Sequence, residues 1–204
     1  ARSYQDLKYP SSTSGKPKST NTIIPQYQLM SGLNFTKYFI FSKSKYQQTL
    51  TPKIGYLYTP YRDQNALPIF DSSVIGFSYD QLFSNRSFSG YDRIQNSNKI
   101  AYALTTSIAN EDQPVLDFGV GQIYYLNNRR VGVCDTSNAS CLTSEIPNLK
   151  QKFSDVADKL TYHISPQWQF SLNNTYDVNF NKLDSLSYIL QYNKDPKHLA
   201  NIEY

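Results

Sequence analysis

Long apolar runs are missing from this chain of 204 residues. A membrane-spanning helix needs roughly 20 consecutive apolar residues, and no segment of the sequence approaches that length. The mean hydropathy of −0.55 is also too low for a protein that crosses a bilayer with helices. The sequence therefore excludes helical membrane spans.

Residues that usually carry chemistry are equally scarce. The only two histidines, His163 and His198, lie far apart in the sequence, and there is neither a glycine-rich phosphate loop nor a nucleophile elbow. The formal net charge of +4 is too small, and the basic residues are too scattered, to favour a nucleic-acid surface. We therefore expect no enzymatic activity, no cofactor, no metal site and no nucleic-acid partner.

Cysteine is limited to two residues, Cys134 and Cys141, which flank the polar segment 135–140. A local disulfide would require an oxidising compartment. The alternative is a redox or metal site, but no third or fourth ligand lies nearby and the CxxC spacing is absent. We predict a disulfide between the two cysteines.

Two-residue alternation, by contrast, is abundant. Around a turn at residues 165–167, the apolar positions are Leu160, Tyr162, Ile164, Trp168, Phe170 and Leu172, and the intervening positions include Thr161, Gln169 and Ser171. Successive side chains of a strand point to opposite faces, so this pattern predicts a β-hairpin with one apolar and one polar face. In a membrane barrel, the apolar set would face lipid and the polar set the lumen.

The same alternation recurs along the chain, and most of the segments span roughly 9–11 residues, the length that a tilted strand needs to cross a bilayer. These segments lie near residues 27–35, 49–59, 100–108, 116–121, 185–193 and 200–204, and a weak first strand is expected around Tyr4–Tyr9. The 18 tyrosines and 11 phenylalanines fit the aromatic girdles of a membrane barrel, and also an aromatic-rich soluble β-protein such as a secreted binding module.

The connections between these segments alternate in length. Long connections near 10–24, 60–97 and 127–155 are separated by short ones near 41–46, 109–114, 165–167 and 194–197, while 177–184 is intermediate. Outer-membrane barrels have short turns on one side and long loops on the other. We therefore predict an all-β fold: an antiparallel up-and-down transmembrane β-barrel, of which residues 1–204 form an arc of about nine strands within one barrel domain.

The 60–97 connection is too long for a structureless turn, and its composition is not that of a disordered segment. It is rich in aromatic residues interleaved with opposite charges, which suits burial in a polar lumen. The alternative is a lid that shields the barrel mouth. The candidate functional residues in this loop are Asp71, Asp80, Arg86, Gly90, Asp92 and Arg93.

Short motifs from residue 48 onward resemble, in order, those of the LptD family, the outer-membrane lipopolysaccharide-assembly barrels of Gram-negative bacteria. They are QTLTP at 48–52, YTPYRDQ at 58–64, LPIFDS at 67–72, YDQLF at 79–83, FSGYDRI at 88–94, GQIYY at 121–125, the arginine pair at 129–130, Ser-Asp at 154–155 and PQW at 166–168. One departure is visible at residues 85–90, where NRSFSG carries one residue more than the family's usual Asn-Arg-Phe-Ser-Gly. The register of residues 84–90 is open for that reason.

The resemblance implies a central portion of a very large barrel that is plugged by a lipoprotein of the LptE type. It also implies a location in the bacterial outer membrane, lipopolysaccharide as the transported molecule, and a periplasmic bridge protein that binds a domain outside this chain. The candidate residues of the 60–97 loop would then contact the plug. Cys134 and Cys141 do not map onto the structural disulfides of the family. The alternative is a porin or adhesin barrel of another class.

Overall fold

The computed structural model describes residues 2–5, 19–65, 67, 72–111, 113–134, 149–195 and 198–203. Eleven strands and one 3-10 turn are defined in these residues: β1 Arg2–Gln5, β2 Ser19–Thr22, β3 Tyr27–Gly32, β4 Phe35–Phe41, β5 Ser44–Thr59, the turn η1 Tyr79–Gln81, β6 Ser97–Asn110, β7 Gln113–Tyr125, β8 Val156–His163, β9 Trp168–Asp177, β10 Lys182–Asp195 and β11 His198–Glu203. No helix in the described part of the chain is long and apolar enough to span a membrane.

Nine of the strands, β3 to β11, form one antiparallel sheet that does not close on itself. From β5 to β11, each strand pairs with the next strand in the sequence, as in an up-and-down meander. Long connections at one end of the sheet alternate with two- to four-residue turns at the other, except for the short β9–β10 turn at 178–181. The predicted all-β, up-and-down arc of about nine strands is confirmed.

The place of the first strand in the sheet was predicted wrongly. The weak first strand does not join the main sheet, because β1 pairs only with β2 in a separate two-stranded sheet. Strand β8 begins at Val156, directly after the long connection predicted at 127–155. Its residue Asp158 is polar at an outer-face position, and its Oδ1 accepts a hydrogen bond of 2.7 Å from Asn174 Nδ2 on β9.

The segment expected as one strand near 27–35 is divided into β3 and β4, which both pair with β5. The register is continuous across the gap, since Gly32 pairs with Lys53 and Phe35 with Leu50. Leu33 N donates to Pro52 O over 3.1 Å, but proline has no N–H with which to return the bond. The missing N–H of Pro52 in β5 therefore separates β3 from β4.

The two faces of the sheet differ sharply in composition. Even-numbered side chains of β5–β9 form the outer face, where the apolar residues Ile54, Leu104 and Tyr162 are 54%, 42% and 44% exposed. Odd-numbered side chains form the inner face, which carries polar and small residues. Leu160 pairs with Leu172 on the outer face, and Gln169 Nε2 donates to Gln191 Oε1 on the inner face, as the alternation predicted.

Aromatic pairs stand near both ends of the sheet. At the end with the short turns, the ring centroids of Trp168 and Tyr192 are 4.9 Å apart, and those of Phe39 and Tyr46 are 5.5 Å apart. At the end with the long connections, Tyr124 lies 5.1 Å from Phe153. Two aromatic zones flanking an apolar band are the arrangement found on the lipid-facing surface of a membrane barrel.

Candidate functional site: the loop against the inner face

The 60–97 connection returns to the inner face of the sheet instead of projecting away from it. The turn η1 and the residues after it pack on β6 and β7, and Leu82 is completely buried there. Ala101, Ala103 and Ile123 form the wall beneath it. The main hydrophobic cluster of the described residues therefore lies between the loop and the sheet.

Three glycines on the inner face make this close approach geometrically feasible. A Cβ atom on Gly119 would lie 2.5 Å from Tyr79 Cζ, and one on Gly121 would lie 2.5 Å from Leu82 Cδ1. A Cβ on Gly55 would lie 2.9 Å from Phe83 Cδ1. Distances this short are not tolerated by real side chains, so the loop packs where the wall lacks them.

Polar contacts fix the same turn. Tyr79 Oη of the turn lies 2.7 Å from Oγ1 of Thr105 on β6. Asp80 Oδ2 of the turn lies 2.9 Å from Nζ of Lys159 on β8. The side chains of this ion pair are 38% and 66% exposed. Solvent screening makes such a pair worth little for stability, so its value lies in fixing position.

Wall side chains also bind three successive backbone carbonyls of the loop. Gln28 Nε2 donates to Phe83 O over 2.8 Å, Lys99 Nζ donates to Ser84 O over 3.1 Å, and Gln26 Nε2 donates to Asn85 O over 3.1 Å. The donors come from β3, the residues before it, and β6, so the loop also ties β3 to the sheet.

Asp92 and Arg93 lie inside the loop itself, where they are 6% and 7% exposed. Ser72 Oγ donates to Asp92 Oδ2 over 3.3 Å, and Arg93 Nη2 donates to Leu67 O over 3.0 Å. Nearby, Gln64 makes two hydrogen bonds with the backbone of Ile94, through Nε2 at 2.7 Å and Oε1 at 3.0 Å. These side chains hold the two limbs of the loop together.

Arg86 belongs to a second, more exposed part of the loop and contacts the backbone of the buried Gly90. Arg86 Nη2 donates to Ser89 O over 2.7 Å and to Gly90 O over 3.3 Å. The guanidinium lies 4.6 Å from the centroid of the Tyr91 ring. Tyr91 is 67% exposed and Val74 is 59% exposed, so this part of the loop presents a cation, an aromatic ring and an aliphatic side chain.

The sequence-predicted residues are therefore divided among different roles in the loop. Asp80 contacts the wall, Asp92 and Arg93 lie in the interior, and Arg86 with Gly90 lies beside the exposed surface. Asp71 lies outside the described residues. Val74 and Tyr91 were not selected from the sequence because nothing in the local pattern distinguishes an exposed aromatic residue of this loop from a buried one.

A cavity of about 410 Å³ opens beside the loop, where β7 and β9 end and β10 begins. Burial raises the pKa of Asp155 to about 6, and the carboxylates of Asp177 and Asp184 act in the same direction while Lys182 opposes them. Burial likewise lowers the pKa of the Arg129 guanidinium. The cavity therefore combines both charge signs in partly dehydrated surroundings.

Cys134 is disulfide-bonded, whereas Cys141 lies outside the described residues, so their pairing stays a prediction. No cluster of three or more potential metal-ligating His, Cys, Asp or Glu side chains occurs in the described residues. The inner-face His163 lies 3.6 Å from Asp117, measured from Nε2 to Oδ2.

Comparison with known proteins gives one consistent result. The profile of the family described as LptD, LPS transport system D, matches residues 2–204. The chain is similar to the LPS-assembly protein LptD of Coxiella burnetii, with 34% identity over 93% of this chain and 21% of that protein. It is also similar to the LPS-assembly protein LptD of Legionella pneumophila, with 37% identity over 72% of this chain and 18% of that protein. The LPS-assembly protein LptD of Francisella tularensis is 30% identical over 91% of this chain and 22% of that protein.

The chain thus spans about a fifth of the length of the curated relatives it matches. The motifs of the sequence, the open antiparallel sheet and a profile match over nearly every residue agree: this chain belongs to the LptD family.

Proposed function

We propose that this chain forms part of the wall of an outer-membrane β-barrel that transports lipopolysaccharide and inserts it into the outer leaflet. The proposal is supported by the family, by the names of the relatives, and by the apolar outer face with its two aromatic zones. The activity would belong to the whole protein. In this segment we expect guidance of an amphiphile, without a chemical step.

The observation that carries the proposal furthest is the packing of the loop on Gly55, Gly119 and Gly121, which we call the glycine wall. Gly55, Gly119 and Gly121 lie on two separate strands, yet all three accommodate side chains of one short loop segment. A barrel that must hold a second protein in its lumen needs a defined inner surface, which this loop supplies.

We further infer that the exposed part of the loop contacts the plug lipoprotein of the LptE type. Arg86, Tyr91 and Val74 offer a mixed aromatic, cationic and aliphatic surface, and tyrosine and arginine are enriched where protein interfaces are strongest. Lipopolysaccharide and the periplasmic bridge protein are the other proposed partners, the latter through a region beyond this chain.

Site-specific crosslinking in cells tests the plug contact in the full-length protein. A photoreactive residue in place of Tyr91 should capture the plug lipoprotein, and one in place of Leu104 on the outer face should not. Failure at Tyr91, combined with capture from inner-face positions such as Thr161, would place the contact elsewhere and contradict the proposal.

Two alanine variants separate direct contact from loop folding. Arg93→Ala removes a buried side chain that binds Leu67 O, so it should loosen the loop and weaken plug association together. Tyr91→Ala removes an exposed ring, so it should weaken plug association while the protease resistance of the loop is unchanged. Equal loss of protease resistance in both variants would argue against a contact role for Tyr91.

A further inference from the structure

A second cavity opens at the rim of the sheet, away from the loop contact. It has a volume of about 530 Å³ and lies where β5 ends, β6 begins and the connection after β7 starts. Its principal lining residues, which we call the rim groove, are Tyr58, Tyr61, Asn96, Asn98, Asn128 and Arg130. Tyr58 pairs with Asn98 across β5 and β6, and both have the parity of the outer face.

The rim groove is held in shape by hydrogen bonds. The Asn96 side chain is buried, and its Oδ1 accepts from Arg130 N at 2.6 Å and from Val131 N at 3.3 Å. Its Nδ2 donates to Asn128 O over 3.1 Å. One amide thus joins the end of the 60–97 connection to the start of the next one, which places their side chains side by side.

The charges of the rim groove favour an anion. Arg130 is exposed, its guanidinium lies 5.3 Å from the centroid of the Tyr61 ring, and none of the described residues lining the groove is a carboxylate. A guanidinium suits the geometry of a phosphate group. The neighbouring asparagine amides offer donors and acceptors of the kind that sugar hydroxyls require.

The surface next to the rim groove favours a ligand with an apolar tail. Towards the middle of the sheet, the outer face continues with Tyr56, Ile54, Tyr102 and Leu104, which are all substantially exposed. Tyr56 Oη donates to Asn98 Oδ1 over 3.0 Å, so a polar edge meets an apolar band at this point. Tyrosines at such an edge lie at the level of lipid headgroups.

We propose that the rim groove binds the phosphorylated sugar headgroup of a lipid whose acyl chains lie against the outer face. None of the residues that line the groove takes part in the loop contact, and Tyr58 and Asn98 have the parity of the outer face, so the lipid is a neighbour of the wall and not a molecule in transit. This inference rests on the proposed membrane function for its orientation, and lipopolysaccharide belongs to the class of lipid that it names.

The test uses the full-length protein with its plug and a photoreactive residue in place of Leu126, which lines the same cavity and is 43% exposed. Lipid A in mixed micelles is the probe, and its capture is read by mass spectrometry. Arg130→Gln should reduce capture about tenfold, because it removes a charge-assisted contact with phosphate. Arg62→Gln is the matched control, since Arg62 is an exposed arginine next to Tyr61 in the 60–97 connection but does not line the groove, and it should leave capture unchanged.

Two further arms define the ligand. Phosphatidylglycerol, an anionic lipid without a phosphorylated sugar, should be captured much more weakly, and soluble glucosamine 1-phosphate should compete poorly because it lacks acyl chains. Equal capture of phosphatidylglycerol, full competition by the soluble sugar phosphate, or undiminished capture in the Arg130→Gln variant would each overturn the proposal.

Delivery of lipopolysaccharide to the cell surface is measured separately on the same variants. Absence of lipid A capture by the unsubstituted protein while it delivers lipopolysaccharide overturns the rim groove alone. Normal capture by a protein that delivers none overturns the proposed function alone.

Discussion

At the scale of single residues, Gly121 determines how closely the loop approaches the wall. A Cβ there would lie 2.5 Å from Leu82 Cδ1 and 2.7 Å from the carbonyl oxygen of Tyr102. Gly121→Val should therefore displace the loop and destabilise the protein by about 1–3 kcal/mol, the usual cost of overpacking. Urea unfolding and limited proteolysis of the loop measure the two effects.

Gly76→Ala is the matched control, because a Cβ at Gly76 meets no heavy atom within 4 Å. If the loop did not pack on β7, Gly121→Val would be neutral or stabilising, because valine has a higher strand propensity than glycine. The sign of the change in unfolding free energy therefore shows whether the loop packs there.

Asp155 gives the protein a predictable pH dependence. Its pKa is raised from 3.8 to about 6, so the folded state binds its proton more tightly than the unfolded chain. The associated stability is present below pH 3.8 and is lost as the pH rises through about 6. Asp155→Asn should consequently raise the urea midpoint at about pH 8 and have little effect at about pH 4. A larger benefit at acidic pH would contradict this explanation.

The candidate site was only partly predictable from single residues. The density of aromatic and charged residues selected the loop as the candidate site, but it did not distinguish the buried Arg93 from the exposed Tyr91. The glycine wall was missed because Gly55, Gly119 and Gly121 are distant or unremarkable in sequence. Gly55 pairs with Ala101 and Gly121 with Ala103, so small residues of neighbouring strands meet on one face of the sheet. This signal can be read only when the pairing of the strands is known.

At the scale of strands, alternation identified the elements from β5 to β10 because each has one apolar face. It failed where a contact with a neighbouring strand decides the outcome. The gap between β3 and β4 originates in Pro52 of β5 and leaves no trace in the sequence of residues 27–41.

The two faces of strand β9 should respond differently to charge. Phe170 lies on the apolar outer face and Gln169 on the polar inner face. In lipid, Phe170→Arg near the middle of the band should destabilise the full-length barrel by about 2–4 kcal/mol, whereas Gln169→Arg should cost much less. Unfolding in lipid vesicles measures both variants, and equal costs would speak against an outer face in contact with lipid.

At the scale of the whole molecule, the sheet and the loop form one unit. The outer face carries an apolar band between two aromatic zones, and the inner face carries a loop held by glycines, three carbonyl contacts and an ion pair. The alternation of short and long connections was sufficient to predict the meander. The local sequence pattern could not predict which face of the sheet the loop covers, because that depends on contacts between residues up to 79 positions apart.

The location of the loop on the inner face is most directly tested by crosslinking Asp80 to strand β8 in the full-length protein in cells. Cysteines in place of Asp80 and Lys159, whose side chains meet at 2.9 Å, should be joined efficiently by a short bismaleimide. Cysteines in place of Asp80 and Leu160 should not be joined, because Leu160 points to the outer face. Efficient crosslinking of the second pair, or failure of the first while both cysteines remain reactive, would contradict the account.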